Sequence, residues 1–249
     1  MRNELIYGIH VIRSLLKNTP ERILEIELSV DRNDKRILEL KELAENHGIA
    51  VHPLSKKTLA NLGEDSVHQQ AVAKVRPMPS LNENDLIDLI EKSKKPPLFL
   101  ILEHVQDPHN LGACLRTADA AGVQAVIIPK TRSAHLTPLV RKVASGAAET
   151  VPCIEVTNLV RCIEDLKQHG IWVMGAMGEA RQSLYETDLR IPLAFVLGGE
   201  EKGLRRLTAE SCDVLVKIPM FGSIESLNVS VAAAVCLYEA LRQRGAKEV

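Results

Sequence analysis

The spacing of apolar positions along this chain changes near residue 97. Before that point, short alternating stretches and amphipathic helices dominate, and beyond it compact apolar runs alternate with helical segments. In the first part the pattern predicts a helix near Gly8 to Leu16, a strand at Ile23 to Val30 and a helix from Lys35 to His47 closed by Gly48. A short strand at Ile49 to His52, a capped helical turn from Ser55 and an alternating strand at Gln69 to Arg76 follow. The helix from Lys35 places Ile37, Leu40 and Leu43 on one stripe and Lys35, Arg36, Lys41 and Glu42 off it, so one face is expected in a core and the other in water. Chain breakers then cluster twice, at Pro77 to Asn84 and at Lys94 to Pro97, around a short helix. That composition predicts a linker at 77–96 between a unit of residues 1–76 and one of residues 97–249.

Past the linker, Leu98 to Leu102, Ala125 to Pro129, Ile171 to Ala176, Leu193 to Leu197 and Val214 to Ile218 read as strands. Thr137 before Pro138 reads as a helix N-cap with proline at the first helical position. Thr157 is the expected cap of a helix at Asn158 to His169, whose Leu159, Ile163 and Leu166 share a face. Buried strands separated by helices imply an α/β domain with a mostly parallel sheet covered on both sides.

Composition narrows the partners. Among 249 residues, 31 basic side chains nearly cancel 32 acidic ones, so a nucleic-acid surface would have to be a local patch. Lys130, Arg132, Arg141 and Lys142, then Lys202, Arg205 and Arg206, and Arg32, Lys35 and Arg36 are the candidates. Aromatics are only 3%, which disfavours a base-stacking platform for single strands. The five cysteines, Cys114, Cys153, Cys162, Cys212 and Cys236, form no CxxC pair, and the odd count argues for reduced core residues over a disulfide framework or zinc cage. The histidines show no metal-ligand grouping, and His109 reads as a loop or RNA contact. The start, Met-Arg-Asn-Glu-Leu, lacks a signal-peptide apolar core and no apolar run could span a bilayer, so no membrane and a cytoplasmic setting are expected.

Three glycine-bearing loops stand at the carboxyl ends of predicted strands, where open α/β sheets bind ligands: Gly175 to Glu179, Gly198 to Gly203 and Ile218 to Ala232. None carries GxGxxG, and Gly198 to Gly203 lacks the Lys-Ser/Thr of a phosphate loop, which disfavours ordinary dinucleotide and NTP sites. A fourth element, Asp107 to Ala118, is a strand-to-helix junction. Asp107 to Asn110 can cap the helix, and Arg116 sits about two turns in among Ala, Leu and Cys, a setting that predicts partial burial beside a bound carboxylate or phosphate.

Asp-Pro-His-Asn-Leu-Gly-Ala-Cys-Leu-Arg-Thr-Ala at 107–118, Gly-Gly-Glu-Glu-Lys-Gly-Leu at 198–204 and Ile-Pro-Met-Phe-Gly-Ser-Ile-Glu-Ser-Leu-Asn-Val-Ser-Val-Ala at 218–232 resemble, in order and spacing, the three motifs of the SpoU/TrmH-type (SPOUT) RNA ribose 2′-O-methyltransferases. Residues 1–76, from Ile6-Tyr-Gly-Ile-His10 to His68-Gln-Gln70, resemble the small L30-like substrate-binding domain of the bacterial 23S rRNA guanosine 2′-O-methyltransferases in that family. The resemblance implies an α/β trefoil-knot domain, S-adenosylmethionine as cofactor, 23S rRNA as substrate and a homodimer to which the small-residue helix Val229 to Leu241 is suited. It implies cofactor contacts at Gly178, Gly198, Ile218, Met220 and Leu227, with Asn110, Arg116, Glu200, Ser226 and Asn228 facing the reacting ribose. Asn228 and Ser226 could also simply cap the last helix, and Glu200 could cap a helix near Gly203. Glu103, Glu201 and Gln70 stand where relatives more often carry Asp, Gly and Gly. The same reaction on tRNA, and a non-catalytic RNA-binding assembly factor, remain the competing readings.

Overall fold

A computed structural model of the chain describes residues 3–29, 35–54, 71–93, 95–199 and 203–245. It forms two compact units, Met1–Pro79 with Leu136–Thr150, and Ser80–His135 with Val151–Val249. The turn expected at Ser55, together with Arg32, Gln70, Glu200, Glu201 and Lys202, lies outside the described residues.

In the first unit, strands β1 (Glu4–Tyr7), β2 (Ile23–Leu28), β3 (Val51–Pro53) and β4 (Ala71–Val75) pair in the order β1-β4-β2-β3. The helices Ile9–Asn18 and Lys35–Asn46 supply Ile12, Leu15, Leu16, Ile37 and Leu40 to one core with Ile26 and Ala73. The stripe expected from Lys35 onward holds at Ile37 and Leu40, while Leu43 packs at its margin. Gly48 ends that helix with φ 66°, a left-handed conformation that glycine adopts without strain.

The segment Leu136–Thr150 packs within this unit. Thr137 caps the short helix Pro138–Val143, its Oγ1 accepting from Val140 N at 3.3 Å. Glu149 is fully buried, accepting from Arg22 Nη1 at 2.6 Å and from Arg141 Nη1. Arg141 therefore does not belong to an RNA-facing patch. Val140 and Ala144 draw its helix into the core, and Glu149 neutralises the charge that goes with them.

The second unit is built on β5 (Leu98–Glu103), β6 (Ala125–Pro129), β7 (Cys153–Val156), β8 (Trp172–Ala176), β9 (Gln182–Ser183), β10 (Leu193–Gly198) and β11 (Val214–Lys217). Their order is β7-β6-β5-β10-β8-β11-β9, and every pairing is parallel. On one face, Phe99 and Ile101 meet Leu86, Ile163 and Leu166. Alternation along β5 turns Leu98, Leu100 and Leu102 to the other face, where the helices Pro108–Ala120 and Val229–Gln243 pack together.

Two helix starts refine the sequence reading. Asn158, and not Thr157, caps Leu159–Gln168, its Oδ1 accepting from Arg161 N at 3.1 Å. Thr157 N instead donates to Glu83 Oε1 at 2.7 Å. The short helix between the breaker clusters is Glu83–Glu91, started by a reciprocal cap in which Asn82 accepts from Asn84 N and Asp85 from Asn82 N. At the chain's end Arg244 donates to the carbonyls of Pro96, Pro97, Leu189 and Ile191, tying the last helix to the starts of β5 and β10. None of the five cysteines forms a disulfide, and four are buried. Among the described residues no helix is long and apolar enough to cross a membrane.

Candidate active site

Strands β5, β10, β8 and β11 lie side by side and parallel, so their carboxyl ends share one edge of the sheet. The loops that leave them begin at His104, Gly199, Met177 and Ile218, which brings the three glycine loops and the Asp107 junction to a common rim.

Backbone, more than side chains, shapes this rim. Gly199 and Gly203 form an isolated bridge, Gly203 N donating to Gly199 O at 3.0 Å. The returning chain lies so close to Gly198 that a Cβ there would sit 2.0 Å from the Gly203 carbonyl carbon and 2.4 Å from Leu204 N. A Cβ on Gly199 would meet His104 O at 2.6 Å. Only glycine fits either place. Met177 N donates to Val216 O at 2.9 Å, and a Cβ on Gly178 would lie 3.9 Å from Glu225 O, so the loop after β8 borders the loop after β11.

Glu103 ends β5 as a buried carboxylate. Its Oε1 accepts from Thr208 Oγ1 at 2.6 Å and its Oε2 from Arg205 N at 2.8 Å, which fixes the start of the helix Arg206–Ser211 against β5. Asp107 caps the helix Pro108–Ala120 by accepting from His109 N at 2.9 Å. One turn in, Asn110 is buried, and its Oδ1 accepts from Asn228 Nδ2 at 3.0 Å. Asn228 also caps the last helix, its Oδ1 accepting from Ser230 N at 2.9 Å and from Ser230 Oγ at 2.6 Å. The capping role and the approach to Asn110 coexist in one side chain.

Arg116 differs from the expectation of partial burial. It is exposed and makes no hydrogen bond or ion pair among the described residues. The stripe that the Pro108–Ala120 helix buries is Leu111, Cys114, Leu115 and Ala118, and Arg116 points away from it. Of the other expected site residues, Ser226 and Gly178 are exposed, while Ile218, Met220 and Leu227 are half-buried along the same rim. Glu200 lies outside the described residues.

Beside Asn110 opens a cleft of about 390 Å³ lined by His104, Gln106, Asp107, Arg132 and Arg205. His104 holds φ 58°, and its Nδ1 is buried without a hydrogen-bond partner among the described residues, 3.9 Å from Glu103 Oε1. Burial, and then the positive charge of Arg205, push its pKa below the ordinary histidine value. Arg132 and Arg205 were visible in the sequence as local basic residues. His104 gave no such signal, because its place depends on a left-handed turn at the end of β5. Among the described residues no group of three or more His, Cys, Asp or Glu side chains could hold a metal ion.

Residues 97–238 match the SpoU rRNA Methylase family, and residues 5–81 match a family described as RNA 2′-O ribose methyltransferase substrate binding. The chain belongs to the SpoU rRNA methylase family. Among its relatives, the 23S rRNA (guanosine-2′-O-)-methyltransferase RlmB of Haemophilus influenzae is 54% identical over 243 residues, covering 97% of this chain and 98% of that protein. RlmB of Pseudomonas putida is 52% identical over 244 residues, covering 98% of each chain. The SpoU methyltransferase AviRb from Streptomyces viridochromogenes, solved in complex with AdoMet, matches with a TM-score of 0.79 at 24% identity, covering 97% of this chain and 90% of that one. That last likeness concerns the fold alone. The SpoU resemblance read from the three motifs therefore holds, as does the fold class it implied, a SPOUT α/β domain on a parallel sheet preceded by a small α/β domain.

Proposed function

We propose that this chain transfers a methyl group from S-adenosylmethionine to the ribose 2′-hydroxyl of a guanosine in 23S rRNA. The observation that carries the reading is identity at about half of all positions, over nearly the whole chain, with methyltransferases of that activity. The convergence of the three motif loops on one sheet edge supports it. In this reading residues 1–76 bind the RNA substrate, 77–96 link the domains and 97–249 carry the reaction.

The rim suits a cofactor held by main chain, because Gly198 and Gly199 leave no room for a side chain where the chain folds back, and Gly178 presents bare backbone beside the loop after β11. Gly178, Gly198, Ile218, Met220 and Leu227 would hold S-adenosylmethionine there. When bound, it supplies an electrophilic methyl group on a sulfonium. Asn110, Arg116, Glu200, Ser226 and Asn228 would face the ribose. The Asn228–Asn110 bond locks two of these amides relative to one another, so the hydroxyl meets a preformed surface, and orientation alone contributes several kcal/mol to such reactions, up to roughly 7–11.

Arg116 is not a base, since a guanidinium stays protonated in proteins. It binds the adjoining phosphate and stabilises negative charge as it develops on the 2′ oxygen. The proton leaves to that phosphate or to water. Phe221, Ile224, Val231 and Tyr238 are exposed apolar side chains of the last loop and helix, and a homodimer formed there would cover them. The cytoplasm is the setting in which such an enzyme meets its substrate.

Tritium transfer from labelled S-adenosylmethionine into unmodified 23S rRNA, with tRNA in parallel, tests the proposal. Label confined to tRNA, or absent from both, would overturn it. Arg116→Ala should abolish transfer while sparing cofactor binding in calorimetry, and near-normal turnover would remove Arg116 from its assigned role. Sedimentation of the full chain tests the dimer, which a monomer at micromolar concentration would refute.

A further inference from the structure

We propose that His104, Arg132 and Arg205 form a phosphodiester seat in the cleft beside Asn110, holding the RNA backbone next to the ribose that is modified. The inference rests on the methyltransferase reading above and adds residues outside the three sequence motifs.

Pairing is the first ground. The surface arginines Arg190 and Arg206 are matched by Asp188 at 2.8 Å and Glu210 at 3.0 Å. Arg132 and Arg205 line the cleft, and among the described residues neither side chain has a hydrogen bond or ion pair. The lining acid, Asp107, already accepts from His109 N, and the buried Glu103 beneath His104 already serves Arg205 N and Thr208 Oγ1. The cleft therefore presents two cationic side chains against one exposed carboxylate, Asp107, of which Oδ1 already accepts from the backbone.

Backbone conformation is the second ground. The non-glycine residues with positive φ among those described are His104, Arg132 and Ser145, and the first two, both at 58°, line this one cleft. A left-handed conformation costs such a residue roughly 1 kcal/mol or more and persists where the surroundings hold it, which is common at ligand sites. Arg205 needs no such strain, because the hydrogen bond from its amide to Glu103 at 2.8 Å sets the position from which its side chain leaves. The third ground is that the His104 imidazole lines the cleft while its Nδ1 is buried on the inner side, 3.9 Å from Glu103 Oε1. Two forked guanidiniums and an imidazole around a cleft of about 390 Å³ match a phosphate better than any neutral group. Phosphate contacts are also what fix the register of a nucleic acid on a protein.

The anion could in principle be the carboxylate of S-adenosylmethionine, so the test separates the two sources. Binding of unmodified 23S rRNA transcript to the full chain is measured across a salt series, with S-adenosylmethionine affinity measured by calorimetry. Arg132→Gln and Arg205→Gln should each lower the slope of log K against log salt by roughly 0.7–0.9, the share of one phosphate contact, and leave cofactor affinity unchanged. Arg206→Gln, outside the cleft, should leave the slope alone. Arg205→Lys, which keeps the charge, should restore it. His104→Gly suits the backbone at φ 58° and should fold normally while weakening RNA binding roughly three- to ten-fold, the worth of one hydrogen bond. Unchanged slopes in both glutamine variants would overturn the seat, and so would a loss of cofactor affinity without a change of slope. Failure of the wild-type protein to methylate 23S rRNA would overturn the parent reading instead, so the two failures are distinguishable.

Discussion

Replacing Gly198 by alanine tests whether the rim of the sheet is shaped by backbone contact. The new Cβ would lie 2.0 Å from the carbonyl carbon of Gly203, 2.2 Å from its oxygen and 2.4 Å from Leu204 N. Unbonded carbons rest roughly 3.5–4.0 Å apart, so the shortfall is about 1.5 Å. None of these atoms can rotate away. Either β10 withdraws from its pairing with β5 and β8, or the return loop opens and the 3.0 Å bond from Gly203 N to Gly199 O is lost. Overpacking costs roughly 1–3 kcal/mol, here at the upper end, and the lost hydrogen bond adds about 1, giving a destabilisation of about 3–4 kcal/mol.

Gly175→Ala supplies the contrast within the same sheet. Its Cβ would meet Leu215 Cδ2 at 2.7 Å, Leu204 Cδ1 at 2.9 Å and Cys212 Sγ at 3.1 Å, all ends of side chains that can turn. We expect about 1 kcal/mol there. At roughly 2–4 °C per kcal/mol for a domain of this size, Gly198→Ala should melt about 10 °C below wild type and Gly175→Ala about 3 °C below. Thermal unfolding by circular dichroism measures both, and calorimetric titration with S-adenosylmethionine should show Gly198→Ala losing its site. A Gly198→Ala protein melting within 3 °C of wild type, or a Gly175→Ala protein that is the more damaged, would refute the reasoning.

Glu149→Gln should destabilise the first unit by roughly 3–5 kcal/mol in urea unfolding, because it leaves the nearly buried Arg22 and Arg141 without their shared carboxylate; a loss under 1 kcal/mol would contradict this. Glu239 is held down to about 2 chiefly by the hydrogen bonds from Arg242, with Gln243 adding to them. Its folded pKa lies below the unfolded value of 4.5, so its stabilisation is complete above pH 4.5 and fades as pH falls toward 2. Melting temperatures across that window should fall less steeply in Glu239→Gln than in wild type, and parallel slopes would count against the assignment. Asn228→Asp keeps a good helix cap but turns a carboxylate toward Asn110 Oδ1 where an amide donor stood, so stability should change by less than about 1 kcal/mol while methyl transfer falls at least tenfold. Unchanged turnover would show that the Asn228–Asn110 bond does not organise the site.

The strands past residue 97 were legible because a parallel sheet buried on both faces leaves β5, β6 and β10 as unbroken apolar runs. The strands β7 and β9 were not. Glu155 interrupts β7 and pairs with His135 at 3.0 Å at the sheet's edge, and β9 is two residues long. The strand β1 carries Glu4, Leu5, Ile6 and Tyr7, too short a run for its period to register. Charge was the poorest guide to position. Arg116 looked sheltered by apolar neighbours that in fact occupy other faces of its helix, whereas Arg141 looked like a surface cation and is buried by Glu149 and by packing that no local window contains.

The loops of the rim share one manner of attachment. The chain returns onto Gly198 with no space for a methyl group, Glu103 grips Arg205 N and Thr208 from beneath, Met177 N is bound to Val216 O, and Asn228 ties the last helix to Asn110. Each anchor joins a loop to another strand end or helix, and none depends on a long flexible side chain apart from Glu103, which is itself buried. A site that must align a hydroxyl with a methyl–sulfonium bond gains from such anchoring, because the geometry is set before substrate arrives and little ordering remains to be done at the moment of reaction. Arg116 and Arg205 stand on this base, and Arg132 on the loop after β6 that Ala134 N ties to Val105 O at 2.8 Å; their charges are unmatched among the described residues, which is the arrangement expected where the counter-charge belongs to a bound anion such as the RNA backbone.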